Sequence, residues 1–242
     1  METSGGEWYM QGCSPADPGC LHSAGDLLDM IREIGFLPLF ANGVPGFSVE
    51  EHTPADAWWT DRPEDPWAWR QILAQEDAAA YGKFFDKKAG FVSAEWFPAF
   101  ANYRRDGYDY EGLYEDGKMN SRCKRILDVM ELNEEAEGLR LLSCDIRRRA
   151  ALPKGFEGAM TELQMRTFLL MGDFRRKRNR RGEEYGWHVA EMMTPETRWG
   201  YGAVNSCPEP PEESLRRICA QIRKHFPGAE EREIRKLICI RT

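Results

Sequence analysis

The sequence contains none of the short motifs that mark the common catalytic and metal-binding sites. Its seven cysteines form no C-x-x-C pair, and its four histidines are far apart and never form H-E-x-x-H. It also has no G-x-x-x-x-G-K-[ST], no G-x-S-x-G and no glycine-rich dinucleotide fingerprint. These absences exclude zinc ribbons, P-loop nucleotide hydrolases, elbow-type serine hydrolases and dinucleotide enzymes. We therefore expect no metal and no small-molecule cofactor.

Long apolar runs are absent as well. Charged residues interrupt every candidate before it reaches the roughly 18 residues that a membrane-spanning helix needs. The N-terminus METSGGEWYM lacks the basic and then apolar pattern of a secretory signal. The odd number of scattered cysteines, at positions 13, 20, 123, 144, 207, 219 and 239, favours reduced thiols over a disulfide framework. The sequence thus predicts a soluble cytoplasmic protein without membrane contact.

Acidic and basic residues are concentrated in different parts of the chain. The formal net charge is −7 and the pI is about 5.3, which argues against a protein that binds nucleic acid with its whole surface. Residues 1–65 carry two basic and twelve acidic side chains, whereas residues 138–181 carry twelve basic and four acidic ones, a local net charge of +8. Such a polarised segment can dock on phosphates. The alternative is a solvated charged face, which would normally mix both signs.

The N-terminal half, residues 23–118, predicts helices around a hairpin. Ser23 and Asp65 are expected to cap two helices, since each precedes an apolar periodic segment. Two β-prone runs flank a polar turn at residues 86–88, and Ser93 is expected to cap the helix that follows. This helix–hairpin–helix order is similar to a degenerate winged-helix unit.

Residues 119–206 predict the order helix, short strand, helix, helix and β-hairpin. The predicted elements are a helix capped by Asn120, a strand at 138–142, a helix capped by Ser143, a helix opened by a capping box of Thr161 and Gln164, and a hairpin of 173–177 and 184–192 that turns at 178–182. That order is typical of winged-helix domains, whose third helix usually enters the major groove. We therefore predict an α+β, helix-rich fold of tandem winged-helix-like modules with short β-hairpin wings.

The two ends of the chain predict accessory segments. Residues 1–22 are rich in Gly, Ser, Pro and Asp and predict a flexible tail. Residues 207–242 begin with a proline-rich linker and predict two amphipathic helices separated by Pro227 and Gly228.

The strongest functional signal is a run of cations at the predicted hairpin turn. The run consists of Arg175, Arg176, Lys177, Arg178, Arg180 and Arg181. A wing of this charge is expected to lie along the backbone of double-stranded DNA or to enter its minor groove. The alternative is a localisation signal or a solvated turn. Arg147 and Arg148, beside Arg149 on the preceding helix, are expected to add phosphate contacts.

Two polar residues of the predicted third helix have the reach to read bases. Glutamine can pair with adenine and arginine with guanine, so Gln164 and Arg166 are candidates. Gln164 has an alternative role as the capping-box partner.

The tryptophans at positions 58, 59, 67, 69 and 96 are expected mainly in the core, with base stacking as the alternative. Glu183 and Glu184, near His188, form a cluster that could perform acid–base work.

Two stretches carry a family resemblance. The run FEGAMTELQMRTFLLMGDFRRKRNRRGEEYGWHVAEMMTPETRWG, with AYGKFFDKKAGFVSAEWFPAFANYRRDGYDYEGLYEDG upstream, resembles relatives of the bacterial interstrand-crosslink DNA glycosylases of the AlkZ and YcaQ type. The resemblance covers about residues 36–200. It implies tandem winged-helix modules with a concave, positively charged DNA-binding surface, and metal-independent removal of alkylated or crosslinked bases.

The resemblance also implies a catalytic triplet, Gln–apolar–Gln or Gln–apolar–Asp, that positions the attacking water. The candidates here are Gln71-Ile72-Leu73 and Gln164-Met165-Arg166, and neither has the required third residue. Only Gln164 is carried over, with Glu183 or Glu184 as possible substitutes. We therefore predict a DNA-binding protein that lacks glycosylase chemistry or has it in degenerate form. The alternatives are an active DNA glycosylase and a protein-interaction module.

Overall fold

A six-stranded antiparallel sheet organises the chain in the computed structural model, which describes residues 2–4, 7–136 and 140–240. The strands are β1 (Glu2–Ser4), β2 (Glu7–Tyr9), β3 (Phe36–Pro38), β4 (Ala79–Phe85), β5 (Lys88–Ser93), β6 (Leu141–Leu142), β7 (Leu170–Arg178) and β8 (Glu184–Met193). Within the described residues, β1 pairs with β2, and the others form a six-stranded sheet in the order β3-β5-β4-β7-β8-β6. One pair, Tyr81 with Met171, joins the hairpin β4–β5 to the hairpin β7–β8.

Helices cover the sheet and complete the α+β class that the sequence predicts. They are α1 (Ala24–Ile34), α2 (Pro66–Leu73), α3 (Phe97–Arg105), α4 (Tyr110–Glu115), α5 (Ser121–Ala136), α6 (Ser143–Arg149), α7 (Phe156–Met165), α8 (Pro195–Trp199), α9 (Tyr201–Val204), α10 (Pro211–His225) and α11 (Glu231–Ile238). Two short 3₁₀ turns, Glu50–His52 and Ala55–Ala57, lie between β3 and α2. Among the described residues, no helix is both long and apolar enough to cross a lipid bilayer.

The first of two hydrophobic cores combines the N-terminal and C-terminal parts of the chain. Phe36, Phe85 and Phe100 are fully buried and meet through ring contacts between β3, β4 and α3. Ile222 of α10 and Ile238 of α11 are buried in the same cluster. The two C-terminal helices, which the sequence predicts as a separate region, therefore help to close the first core.

Residues 108–192 supply the second hydrophobic core. The helix predicted after Asn120 is α5, and its apolar residues Cys123, Ile126, Leu127 and Met130, at positions i, i+3, i+4 and i+7, are all buried there. Apolar residues of α4, β6, α6, α7, the loops between them and the base of the β7–β8 hairpin complete the cluster. This packing anchors the base of that hairpin.

Three of the predicted helix caps are present. The Ser23 hydroxyl accepts a hydrogen bond from the backbone N–H of Asp26, and the Asp65 carboxylate accepts one from that of Trp67. Asn120 Oδ1 accepts from the N–H groups of Arg122 and Cys123. Each cap satisfies donors that the first helical turn leaves free.

The predicted start of the third helix is wrong. Helix α7 begins at Phe156 after Gly155, which has a φ of 75° and serves as the N-cap. Thr161 therefore lies within the helix, where it cannot form a capping box with Gln164. The helix ends at Met165, and Gly172, a residue that could have closed a longer helix, lies in β7. The glycines at 155 and 158 obscure the start, since glycine is a poor helix former.

Two other caps and the tail differ from expectation. Ser93 is the last residue of β5 and Trp96 is the N-cap of α3, while Ser143 is the first residue of α6 and not its cap. Of the predicted strand at 138–142, Leu141 and Leu142 form β6, whereas residues 138 and 139 lie outside the described residues. Part of the tail predicted as flexible is attached to the body. Backbone N–H groups of Cys13 and Leu21 donate to Thr53 O and His52 O.

Candidate nucleic-acid interface

The β7–β8 hairpin, called the basic hairpin below, has a buried base and an exposed end. At the base, Leu170 pairs with Met193, and both side chains are buried. From residue 175 to residue 188 every side chain is exposed. The sequence-based prediction of a hairpin with its turn near residues 178–182 is confirmed. The hairpin therefore presents its charged end to solvent from an anchored support.

Asn179 organises the turn of the basic hairpin. Its Oδ1 accepts hydrogen bonds from the backbone N–H groups of Arg181 and Glu183, at 2.8 and 3.1 Å. Its Nδ2 donates to the Glu183 carboxylate at 2.8 Å, and its backbone N–H donates to Glu183 O at 3.0 Å. Asparagine is favoured in such turns because its short side chain can bond to nearby backbone groups. The turn that carries Arg180 and Arg181 is thus held by a defined set of bonds.

A bulge in β8 changes the register of the hairpin near its end. Arg175 pairs with Val189, and the next pair is Lys177 with Tyr185. Residues 186–188 therefore lie opposite the single residue Arg176. Gly186 adopts a φ of 73°, a left-handed conformation that glycine adopts at little cost. The extra residues include Trp187, which is 91% exposed.

The six predicted cations of the hairpin fall into two groups. Arg175 Nε lies 3.1 Å from Glu191 Oε1, and Arg178 Nη2 lies 3.3 Å from Glu184 Oε1. Among the described residues, no carboxylate forms an ion pair with the other four, called the free cations below. The free cations are Arg176, Lys177, Arg180 and Arg181. An anionic partner could bind these four without displacing an internal carboxylate.

Glu191 is a buried carboxylate that sequence reasoning missed. Its side chain is 6% exposed, and within the described residues its Oε2 has no hydrogen-bond partner. Burial raises the pKa of this carboxyl above its ordinary value, while the Arg175 guanidinium acts in the opposite direction and Asp173 reinforces the rise. Asp173 itself lies 3.5 Å from Arg140. Only the pairing of β8 with β6 and β7 buries Glu191, so its sequence carries no local signal of this environment.

Comparison with known proteins places the chain in a family. A family model described as "AlkZ related" matches residues 21–239. The chain belongs to the AlkZ-related family. Among solved structures it is similar to the Streptomyces sahachiroi DNA glycosylase AlkZ, with 12% sequence identity and a TM-score of 0.46. That match covers 91% of this chain and 60% of the glycosylase, so the chain spans less than two thirds of that protein's length. No curated protein matches the chain.

Gln164 is buried in this AlkZ-related chain and does not face solvent. It is 2% exposed, its Oε1 accepts a hydrogen bond from the backbone N–H of Lys83 at 3.0 Å, and its Nε2 donates to Met160 O at 2.9 Å. A glutamine held in this way can neither read a base edge nor position water at a sugar. Base reading by Gln164 would require the residue to give up both of these internal hydrogen bonds.

Arg166 is also engaged within the protein. Its side chain is 13% exposed, Nε lies 3.5 Å from Glu162 Oε1, and Nη2 donates to Lys118 O at 3.3 Å. The residue follows the end of α7 and is the C-cap of that helix. Arg166 therefore has little reach towards a base in the major groove.

The three arginines of α6 have internal partners. Arg147 forms an ion pair with Glu157, and Arg148 forms one with Asp145 at 2.9 Å. Arg149 donates to Asn133 Oδ1 at 3.3 Å. Arg147 and Arg148 remain partly exposed, so they can reach a phosphate only in competition with these carboxylates.

The proposed acid–base cluster is not enclosed. The carboxylate of Glu183 accepts from Asn179, that of Glu184 pairs with Arg178, and both residues are exposed together with His188. Within the described residues, no group of three or more His, Cys, Asp or Glu side chains is arranged to hold a metal ion. An open surface of this kind offers no site that excludes water from a reacting bond.

A cavity of about 490 Å³ lies near the base of the hairpin, with Phe168 and Thr194 among its lining residues. Other lining residues supply aromatic rings and carboxylates, namely Tyr108, Tyr110, Tyr201, Asp109, Glu111, Glu131 and Glu196. The single lining arginine, Arg105, is already paired with Glu196. The cavity therefore has the wrong charge for a phosphate.

Proposed function

We propose that this chain binds double-stranded DNA, and that the basic hairpin is its main docking element. The observation that carries the proposal is the set of free cations on an exposed, anchored hairpin. A wing with such charges can follow the sugar–phosphate backbone or enter the minor groove, where arginine is favoured. The uneven charge distribution supports the same view, because the acidic segment 1–65 would repel DNA and orient the hairpin towards it.

The proposed architecture is a pair of winged-helix-like units that share one sheet. Helix α2 precedes the hairpin β4–β5, and helix α7 precedes the basic hairpin. Strand β4 is almost wholly buried, so the first hairpin contributes to the core. Its turn exposes two cations, Lys87 and Lys88, whereas the second hairpin carries six, which supports the second hairpin as the main contact to DNA.

Binding through this hairpin is expected to depend weakly on sequence. Base-edge contacts supply sequence specificity, whereas phosphate contacts position the protein without reading the bases. Gln164 of α7 and Arg166, the C-cap of that helix, are the residues considered for base reading, and both have internal partners. The free cations therefore dominate the affinity, and their contribution falls with salt.

The proposed function does not include base excision. A glycosylase must hold a water molecule against the anomeric carbon with a correctly placed acceptor. Gln164 is buried, and Glu183 and Glu184 lie at the exposed end of the basic hairpin. We therefore favour a DNA-binding protein with degenerate chemistry over the active glycosylase.

The test is duplex binding measured by fluorescence anisotropy over a range of salt concentrations. If each free cation contacts one phosphate, log K should fall with log salt with a slope of about −3 to −4, since each neutralised phosphate contributes about 0.9. The variant in which Arg176, Lys177, Arg180 and Arg181 are all changed to Gln should lose most of this slope. Its affinity should fall similarly for unrelated duplex sequences.

A control variant lowers the net charge by the same amount elsewhere. It replaces four exposed arginines of α10 and α11 with Gln, namely Arg216, Arg217, Arg223 and Arg232. We expect this control to keep the slope of the parent protein. Equal losses in the two variants, or an unchanged slope in the hairpin variant, would contradict the hairpin as docking element. Salt-sensitive binding to an acidic protein with no binding to DNA would favour the interaction-module alternative.

A further inference from the structure

Trp187 is the most exposed large apolar side chain among the described residues. It is 91% exposed, and Tyr185 on the same strand is 51% exposed. Single exposed apolar residues are common on protein surfaces. Here, however, two aromatic rings lie within three residues of each other on a hairpin that is otherwise charged and polar beyond residue 175. The exposed rings of Trp187 and Tyr185 among these cations fit a partner that combines a flat apolar surface with negative charge.

The bulge in β8 accounts for the exposure of Trp187. Gly186, at a φ of 73°, lets residues 186–188 bulge opposite Arg176, so the indole is not covered by a cross-strand neighbour. Lys177 lies directly opposite Tyr185. Arg176, a second free cation, lies opposite the bulge that contains Trp187, and the buried base of the hairpin supports this end.

We propose that Trp187 stacks on a nucleobase that is not covered by its neighbours in the duplex, with Tyr185 as a second stacking surface. This inference rests on the proposed function. Nucleobases present an apolar face next to a phosphate backbone, and aromatic rings beside cations are the usual means of binding them without sequence preference. The hairpin then distinguishes DNA with an unpaired base from an intact duplex.

An unpaired base favours Trp187 for an energetic reason. In an intact duplex every base is already stacked, so insertion of an indole requires the cost of unstacking a base step. A bulged or unpaired nucleotide removes most of that cost. The free cations contact phosphates in both the paired and the bulged duplex, so they determine the overall affinity. The Trp187 indole determines the preference for the bulged duplex.

The experiment compares two DNA probes of equal length, a fully paired duplex and the same duplex with one bulged thymine. We expect the parent protein to bind the bulged duplex about 5- to 150-fold more tightly, the range given by stacking of one base on an aromatic ring. Trp187→Ala should reduce the preference to less than about twofold and leave the affinity for the paired duplex nearly unchanged. Trp187→Phe should retain part of the preference, because the smaller ring still stacks. Each of these quantities is a ratio of dissociation constants measured at the same salt concentration.

The matched control is Tyr201→Ala, which removes a 69% exposed ring on α9, outside the hairpin. It should leave both affinities unchanged. Equal binding of both probes by the parent, or a preference that survives Trp187→Ala, overturns the stacking proposal while leaving the proposed function intact. Absence of salt-sensitive binding to either probe overturns both. Binding to phosphatidylserine vesicles that requires Trp187, without any preference between the DNA probes, overturns the stacking proposal in favour of a lipid surface.

Discussion

Gln164 accepts a hydrogen bond from the backbone N–H of Lys83, although the two residues are 81 positions apart in sequence. The bond connects α7 of the second core to β4 of the first. On the other side of the amide, Nε2 donates to Met160 O. The glutamine that the sequence offered as a base reader thus links the two halves of the molecule.

Replacing Gln164 with Ala should destabilise the fold and leave DNA binding nearly unchanged. The substitution leaves the Lys83 N–H without its acceptor in a part-buried position, which costs about 1–3 kcal/mol. Urea denaturation measures this change in the free energy of unfolding. The control is Gln75→Ala, which removes an exposed glutamine and should change that free energy by less than about 0.5 kcal/mol. A stable variant with reduced DNA affinity would instead support base reading by Gln164.

Removing the Arg105–Glu196 ion pair should lower the free energy of unfolding by at least as much as Gln164→Ala. The Arg105 side chain is 5% exposed, and its Nη2 also donates to Thr167 O at 2.7 Å. Arg105→Ala should lower the free energy of unfolding by about 3 kcal/mol, because it leaves the carboxylate of Glu196 unpaired. Arg216→Ala, at a side chain that is 73% exposed, should cost less than about 1 kcal/mol. Similar melting temperatures for the two variants would show that the Arg105–Glu196 pair, which is only partly buried, does not stabilise the fold.

The raised pKa of Glu191 predicts that the free energy of unfolding depends on pH, and it fixes the sign of that dependence. The folded protein holds a proton on this carboxyl more tightly than the unfolded chain does. The folded state is therefore favoured at low pH, and this contribution is lost as pH rises from the unfolded pKa through the folded pKa. In Glu191→Gln this contribution is absent, so the stability of the variant relative to the parent should increase between acidic and neutral pH.

The Glu191 prediction is measured by urea denaturation at several pH values between about 4 and 7, a range that begins near the ordinary pKa of glutamate. Glu184→Gln, at an exposed ion pair, is the control and should lack the same trend. A stability difference between Glu191→Gln and the parent that stays constant with pH would mean that the carboxyl has the same pKa in both states.

Base excision is expected to be absent. Duplex DNA containing alkylated bases should release no more free base with the protein than without it. Of the three candidate catalytic residues, Gln164 is buried and hydrogen-bonded inside the protein, and Glu183 and Glu184 are exposed to water. Chromatographic measurement of released base tests this expectation. The informative variants are Glu183→Gln and Glu184→Gln. Base release above the background rate, lost in one of these two variants, would establish the glycosylase hypothesis. The variant that loses activity would identify the catalytic carboxylate.

Local sequence signals predicted the elements that depend on local bonds. The caps Ser23, Asp65 and Asn120 bond to N–H groups two or three residues away, so a short stretch of sequence contains both partners. The two hairpins follow from β-prone runs around polar turns for the same reason. The family resemblance, which depends on residues spread over most of the chain, is confirmed by the match over residues 21–239.

The sequence also determined how many cations the hairpin carries, but only the tertiary structure decided which of them are free. Arg175 and Arg176 are adjacent and chemically alike, yet the first is held by Glu191 and the second is not. The partner of Arg175 is buried by strand pairing, and the bulge that exposes Trp187 depends on the register between β7 and β8. Burial and pairing between distant segments result from packing of the whole chain. Residue type and spacing alone therefore leave the availability of a side chain undetermined.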